Sequence, residues 1–424
     1  MLSRTIKFEG RHYQYTWPEI FFILSVFTKE IGTRNVLGFD FDLISYTFFI
    51  LYFIINITSV LNPKTAPVAM LLYMTISSIV SIAVLDLKFD GFFKGMIPII
   101  IMMTSGFAIL KGRGIHQVFL LYVKITYWTA IFGIIQVILS TFFGIMILEL
   151  DRGRLDSIAY EPSHYASILM PALIYTFVHF RKFKKYFFVM LTALILTFNL
   201  TGYLVFIALF TIARFNPIYI LVSVPVAYFV FFNVLPTLTT NFSTRFNDTF
   251  ATLNGTKDIF TNTLEVNGTT LSFFSNFDVA KSVLNASPLT GCGIGGHEEM
   301  YYRHFQGSSF MSNYYYGLNA KSAHSLSIRI LSELGFVGMG LYIFVLVRNF
   351  VIPRHGVNFA ISLACLGHFL CKSFKLGGYI DYGTPFFFII LILNAREYRL
   401  HSKKKNIANG TRKRFHPLPL HPAS

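Results

Sequence analysis

Long apolar runs cut by short polar segments recur along the chain, and each run sets the length of a helix. A membrane span needs about 20 mostly apolar residues at ~1.5 Å rise to cross ~30 Å of hydrocarbon. On that criterion about 12 helices are predicted, over 17–29, 43–61, 65–85, 93–110, 117–149, 164–180, 186–200, 202–214, 216–238, 326–347, 356–374 and 384–396. The first is short, carries Glu19 within "WPEIFF" and ends at Lys29 and Glu30. The pair over 186–214 reads either as one long helix or as two, broken between Asn199 and Gly202. The expected fold is all-α, a polytopic integral membrane protein with one large extracytoplasmic loop. Its parts are an N-terminal membrane region over 1–238 with about 9 helices, the loop over 239–325, a C-terminal membrane region over 326–396 with about 3 helices, and a basic cytoplasmic tail over 397–424.

Composition agrees with that pattern: 54% hydrophobic, 17% aromatic and 13% charged residues, with mean hydropathy +0.56, describe a chain that lipid dissolves. Short cytoplasmic loops hold the excess of lysine and arginine. Placing both termini inside collects Lys111, Arg113, the run from Arg181 to Lys185 and the basic tail on that side. Most acids, among them Asp86, Asp90, Asp156, Glu161 and Asp381, then fall outside, with Arg34 and Lys88 as basic exceptions. The net charge of +16 therefore reads as topology and affinity for anionic inner-leaflet lipid, and no nucleic-acid partner is expected. No cleavable signal peptide is evident. The three cysteines have no metal-ligand or disulfide spacing, and no cofactor is expected.

Several charged segments stand at the outer ends of these spans. "RGRLDSIAYEPSHYASILM", Arg152 to Met170, carries Arg152, Arg154, Asp156 and Glu161 into a greasy helix. Pro162 in the first turn also makes Glu161 a sound helix start. "SPLTGCGIGGHEEMYYRHF", Ser287 to Phe305, holds Gly291, Gly293 and Gly296 in a formal GxGxxG. No strand precedes them and no GK[ST] follows, which leaves a tight turn or an anion-holding backbone nest. In "KSAHSLSIRILSELGFVGMGLYIF", Lys321 to Phe344, His324 sits at the helix start and Arg329 and Glu333 are an i, i+4 pair on one face. Such a pair inside a span either faces a wet cavity or neutralises itself to lock helices together. "FDFD", Phe39 to Asp42, offers Asp40 and Asp42 as an alternative metal-binding pair, or as an N-cap for the following span.

The order of "RLDSIAYEPSHYA", the arginine Arg245 of "STRFND", "SPLTGCGIGG" and "AHSLSIRILSELGFVGMG" resembles that of bacterial O-antigen polymerases and O-antigen ligases over roughly residues 150–345. Ligases usually show His-Asn where this chain has His324 and Ser325, so the resemblance leans towards a polymerase. It implies transfer of a glycan from a polyprenyl-diphosphate lipid to an acceptor sugar on the outer face of the cytoplasmic membrane, beside a flippase and a chain-length regulator. Fixed guanidinium charge suits a departing diphosphate, and a carboxylate or imidazole suits the acceptor hydroxyl. Glu161 and His324 are the candidate catalytic groups. Arg152, Arg154, Asp156, Arg245, Arg303, Arg329 and Glu333 are the candidate substrate-binding ones. Tyr301, Tyr302 and Tyr314 to Tyr316 are candidates for stacking on sugar rings. The "FDFD" pair looks instead like metal-dependent lipid-sugar glycosyltransferases, and a lipid-linked oligosaccharide flippase is the non-enzyme alternative.

Overall fold

The computed structural model describes residues 3–8, 11–28, 41–60, 68–147, 153–159, 161–214, 240–255, 260, 266–352 and 356–414. The predicted span 216–238, Asp40 and Arg152 lie outside the described residues, as do the side chains of Asp42 and Arg245.

Apart from one hairpin, β1 (Ser3–Phe8) against β2 (Arg11–Thr16), the regular secondary structure of the described residues is helical. The N-terminal helices are α1 (Trp17–Leu24), α2 (Phe41–Ile55), α3 (Ile57–Val60), α4 (Val68–Val84), α5 (Phe89–Leu110) and α6 (Ile115–Ile138). There follow α7 (Pro162–Val178), α8 (Phe180–Leu196), α9 (Leu200–Arg214), α10 (Thr240–Leu253), α11 (Gly268–Ala286) and α12 (His297–His304). The chain closes with α13 (Leu326–Asn349), α14 (Val357–Phe374) and α15 (Thr384–Arg414).

Among the described residues four helices are long and apolar enough to cross a membrane: Phe89–Leu110, Ile115–Phe143, Leu326–Asn349 and Val357–Phe374. Shorter apolar helices cover Ile44–Ile55, Val68–Val84 and Leu200–Ala213. Ile76 of α4, Phe93 of α5 and Val347 of α13 are exposed to 60%, 53% and 69%, so these helices turn large apolar side chains outward, as lipid contact requires. In contrast, α7 is buried along nearly its whole length and packs against α8, α9 and α14. A helix apolar on all sides belongs in the middle of a bundle.

Glu19 is a helix-start residue and not a membrane charge. Its Oε2 accepts from the Thr16 N–H (2.6 Å) and the Thr16 hydroxyl (2.7 Å), while Oε1 lies 3.2 Å from Arg113 Nε. The sequence from 186 to 214 is two helices. Phe198 takes φ +47° between them, and Asn199 Oδ1 accepts the Thr201 N–H (3.0 Å) at the start of α9. The helix predicted from 186 begins earlier, at Phe180, and takes in the basic run.

Candidate functional site

The continuous apolar helix expected from Leu326 onward is interrupted inside α13. Gly335 takes φ +63° and ψ −164°, a backbone conformation that only glycine adopts freely. The groups freed by the break are satisfied by the glycine-rich turn preceding α12. Cys292 and Gly293 donate their N–H groups to Ser332 O (2.8 Å) and Glu333 O (2.8 Å), and Phe336 donates to Pro288 O (2.9 Å). The Tyr73 hydroxyl of α4 donates to Leu334 O (3.2 Å). The nest is therefore filled from within: Gly295 N–H donates to Glu333 Oε1 (3.0 Å) and Ile294 N–H to Ser78 Oγ (2.9 Å). The GxGxxG stretch is a turn wedged between α4 and the unwound part of α13.

Glu333 also fixes Arg329. Arg329 Nε lies 3.2 Å from Glu333 Oε1, its Nη1 donates to Gly377 O (3.4 Å), and its guanidinium stands 4.6 Å over the Tyr379 ring. Glu333 is fully buried, and its Oε2 makes no hydrogen bond of ordinary geometry, although Tyr379 adjoins the carboxylate.

The segment that meets Arg329, between α14 and α15, is itself tightly held. Buried Lys372 donates from Nζ to Gly378 O (2.6 Å) and Asp381 O (3.3 Å). The Asp381 carboxylate lies over Gly378, where a Cβ would stand 1.6 Å from Oδ2. Gly377 packs as closely on the carbonyl of Ser322.

Arg329, Tyr379 and Asp381 line a cavity of about 1150 Å³. Lys321, Tyr302 and Asn319 line the same cavity, and Lys88 and Lys94 join it from the start of α5. Its apolar wall comes from α2 and α5 through Tyr46, Phe49, Ile50, Ile97, Pro98 and Ile101. The cavity lining therefore combines charged and apolar side chains.

Other candidates lie elsewhere. Glu161 is the N-cap residue of α7, and its Oε2 is 2.6 Å from Lys375 Nζ, 3.8 Å from His164 Nε2 and 3.1 Å from Ser163 Oγ. Burial alone would raise the carboxyl pKa, but Lys375, His164 and Ser163 together hold it down at about 2. His324, in the left-handed region at φ +59°, is buried with Nδ1 3.0 Å from Ser272 Oγ and its ring edge-on to Phe273. Its carbonyl accepts the Leu376 N–H (2.8 Å). Glu161 and His324 thus each touch the segment after α14, at Lys375 and Leu376. Ser325, the departure from the ligase pattern, is the N-cap of α13, its side chain accepting the Ile328 N–H (3.2 Å).

Arg303 staples α12 to the α4–α5 turn, donating to Leu85 O (3.0 Å), Asp86 O (2.5 Å) and Glu299 Oε1 (2.6 Å). Asp156 is buried beneath the α6–α7 connection, whereas Arg154 is half-buried close to Tyr203. Tyr301 is buried, Tyr302 faces the cavity and Tyr314 is exposed.

Tyr379 and Lys372 were not candidates in the sequence, and Asp381 stood there only as an outer acid. The signal was the Gly-Gly pair with an aromatic and an acid in "LGGYIDYG", Leu376 to Gly383, at the mouth of the last helix. Among the described residues no cluster of three or more metal-ligating side chains occurs. No family model matches this chain, and a search of curated proteins returns no match.

Proposed function

We propose that this chain is a glycosyltransferase of the polysaccharide-polymerase kind, joining polyprenyl-diphosphate-linked oligosaccharide repeat units on the outer face of the cytoplasmic membrane. About 12 spans, cytoplasmic termini and an outer loop over 239–325 belong to this reading, as do a flippase and a chain-length regulator as neighbours. The observation that carries it is one cavity lined both by Arg329, Tyr379 and Asp381 and by apolar side chains of α2 and α5. A lipid-linked glycan has that polarity: a greasy tail, an anionic link and a hydroxyl-rich head.

In the reaction, an acceptor hydroxyl oxygen bonds to the anomeric carbon of the donor sugar. The bond from that carbon to the diphosphate oxygen breaks, and its electron pair leaves with the diphosphate. Arg329, already oriented by Glu333 and Tyr379, offsets the negative charge that develops there. Asp381 is the carboxylate beside it that takes the acceptor proton. Glu161, held ionised by Lys375 and His164, is a poor base and serves to fasten the α14–α15 segment to α7.

Deletion of the gene followed by gel analysis of surface glycan tests the reading. Loss of a polymerase leaves single repeat units attached. Polymer left unattached would indicate a ligase, and failure to export either would indicate a flippase.

A further inference from the structure

The sequence points to arginines as the partners of an anionic head, but the cavity distributes its charges differently. Lys94 Nζ is engaged with Asp90 Oδ2 at 2.6 Å. Arg329 is engaged with Glu333, and Arg303, away from the cavity lining, with Glu299 and two carbonyls. Glu299 also accepts the Lys88 N–H (2.9 Å) through Oε2, which leaves the Lys88 ammonium unengaged. Among the described residues neither Lys88 Nζ nor Lys321 Nζ makes a hydrogen bond or ion pair.

These two ammonium groups reach the cavity from separate elements. Lys88 immediately precedes α5, and Lys321 belongs to the short 3₁₀ turn Ala320–Ser322 before α13. From Lys88 the lining passes along α5 to Ile97, Pro98 and Ile101 and across to Phe49 and Ile50 of α2. Of the lining carboxylates, Asp90 holds Lys94, Glu299 holds Arg303 and Glu298 also faces the cavity; two ammonium groups without a partner among the described residues, beside an apolar wall, suit an anionic amphiphile. Strongly hydrated, mobile ammonium groups suit a group that must be bound and then released.

We propose that Lys88 and Lys321 bracket the diphosphate of a prenyl diphosphate whose hydrocarbon chain lies on the α2–α5 wall. The choice of diphosphate as head group rests on the function proposed above; the positions of the cations and the wall do not.

The test uses the full chain in nanodiscs of phosphatidylcholine, with geranylgeranyl diphosphate as probe and calorimetric titration as the measurement. The double variant K88Q/K321Q is expected to weaken binding at least tenfold, about 1.4 kcal/mol. K88R/K321R, which keeps both charges, should retain most of the affinity. Raising the salt concentration should weaken wild-type binding more than that of the double glutamine variant. Geranylgeraniol, which lacks the head, should bind weakly and equally to all variants, and inorganic diphosphate should bind more weakly than the amphiphile. Unchanged affinity in K88Q/K321Q would overturn the proposal, as would an equal loss for geranylgeraniol. Full displacement of the probe by phosphatidylglycerol in the disc would assign the site to bulk anionic lipid and overturn the diphosphate assignment. Lysine-dependent binding in a protein whose deletion leaves polymer unaffected would overturn the proposed reaction while leaving the site standing.

Discussion

The Arg329 guanidinium stands 4.6 Å over the Tyr379 ring while its Nε lies 3.2 Å from Glu333, so one arginine ties α13 to the segment between α14 and α15. The two ends of that tie respond differently to substitution. R329M leaves the buried Glu333 carboxylate without its cation and is expected to cost about 3–5 kcal/mol. R329M/E333Q removes both charges and should recover most of that loss. Thermal unfolding of the purified protein in detergent measures both. Equal stability of the single and double variants would show that the pair is not coupled.

R329K separates charge from shape. Lysine keeps the positive charge but loses the planar stack on Tyr379 and the forked donors. Insertion is expected to be normal and polymer formation to fall by at least tenfold. Gel analysis of surface glycan together with membrane protein levels reads both quantities, and full-length polymer from R329K would remove the guanidinium from the reaction.

The proposed reaction gives Asp381 the role of base that the sequence suggested for Glu161. D381N is expected to abolish polymer in protein that inserts normally, whereas E161Q should still polymerise. G378A provides an independent check, since its Cβ would meet the Asp381 carboxylate and displace it. Its phenotype should resemble that of D381N. Abolished polymer in E161Q with normal insertion would return the base to α7.

Glu161 should instead appear in acid stability. Its carboxyl is depressed to about 2 in the folded protein, so the unfolded chain takes up the proton first as pH falls. This contribution is fully present above pH ~4.5 and is lost as pH drops towards 2. E161Q should therefore unfold at a lower temperature at pH 6, and the gap should narrow below pH ~4.5 and close only as pH reaches about 2. A constant gap across that range would exclude the linkage.

His297 works in a higher window. Its Nε2 lies 3.0 Å from Asn276 Oδ1 and its Nδ1 2.7 Å from Ser332 Oγ, wholly buried between α11 and α13. Burial, with the Arg329 charge nearby, lowers its pKa to about 3. The unfolded histidine binds a proton near pH 6.5 and the folded one does not, so stability falls as pH drops from ~6.5 towards 3. The slope is about 1.4 kcal/mol per pH unit for one proton. H297Q, which keeps an amide donor but does not titrate, should flatten the melting-temperature profile between pH 6 and 4.

The apolar runs determined the four long apolar helices over 89–110, 115–143, 326–349 and 357–374, because the length needed for a span follows from hydrocarbon thickness, a property each segment carries alone. The start of α7 was legible for a similar reason: Glu161 followed by Pro162 fixes a helix entrance locally. The i, i+4 spacing of Arg329 and Glu333 likewise placed both on one face, where they meet. What each charge does was decided at longer range. Lys375, 214 residues from Glu161, supplies that carboxylate with its ammonium partner. The break at Gly335 was invisible because the apolar pattern continues through it. It exists only because the turn at 288–293 supplies partners for the freed backbone groups. The cavity was hidden most completely, since α2, α5, the 317–322 turn and the 378–381 segment share no local pattern. Burial and pairing depend on which distant groups arrive, and only the packed chain brings them together.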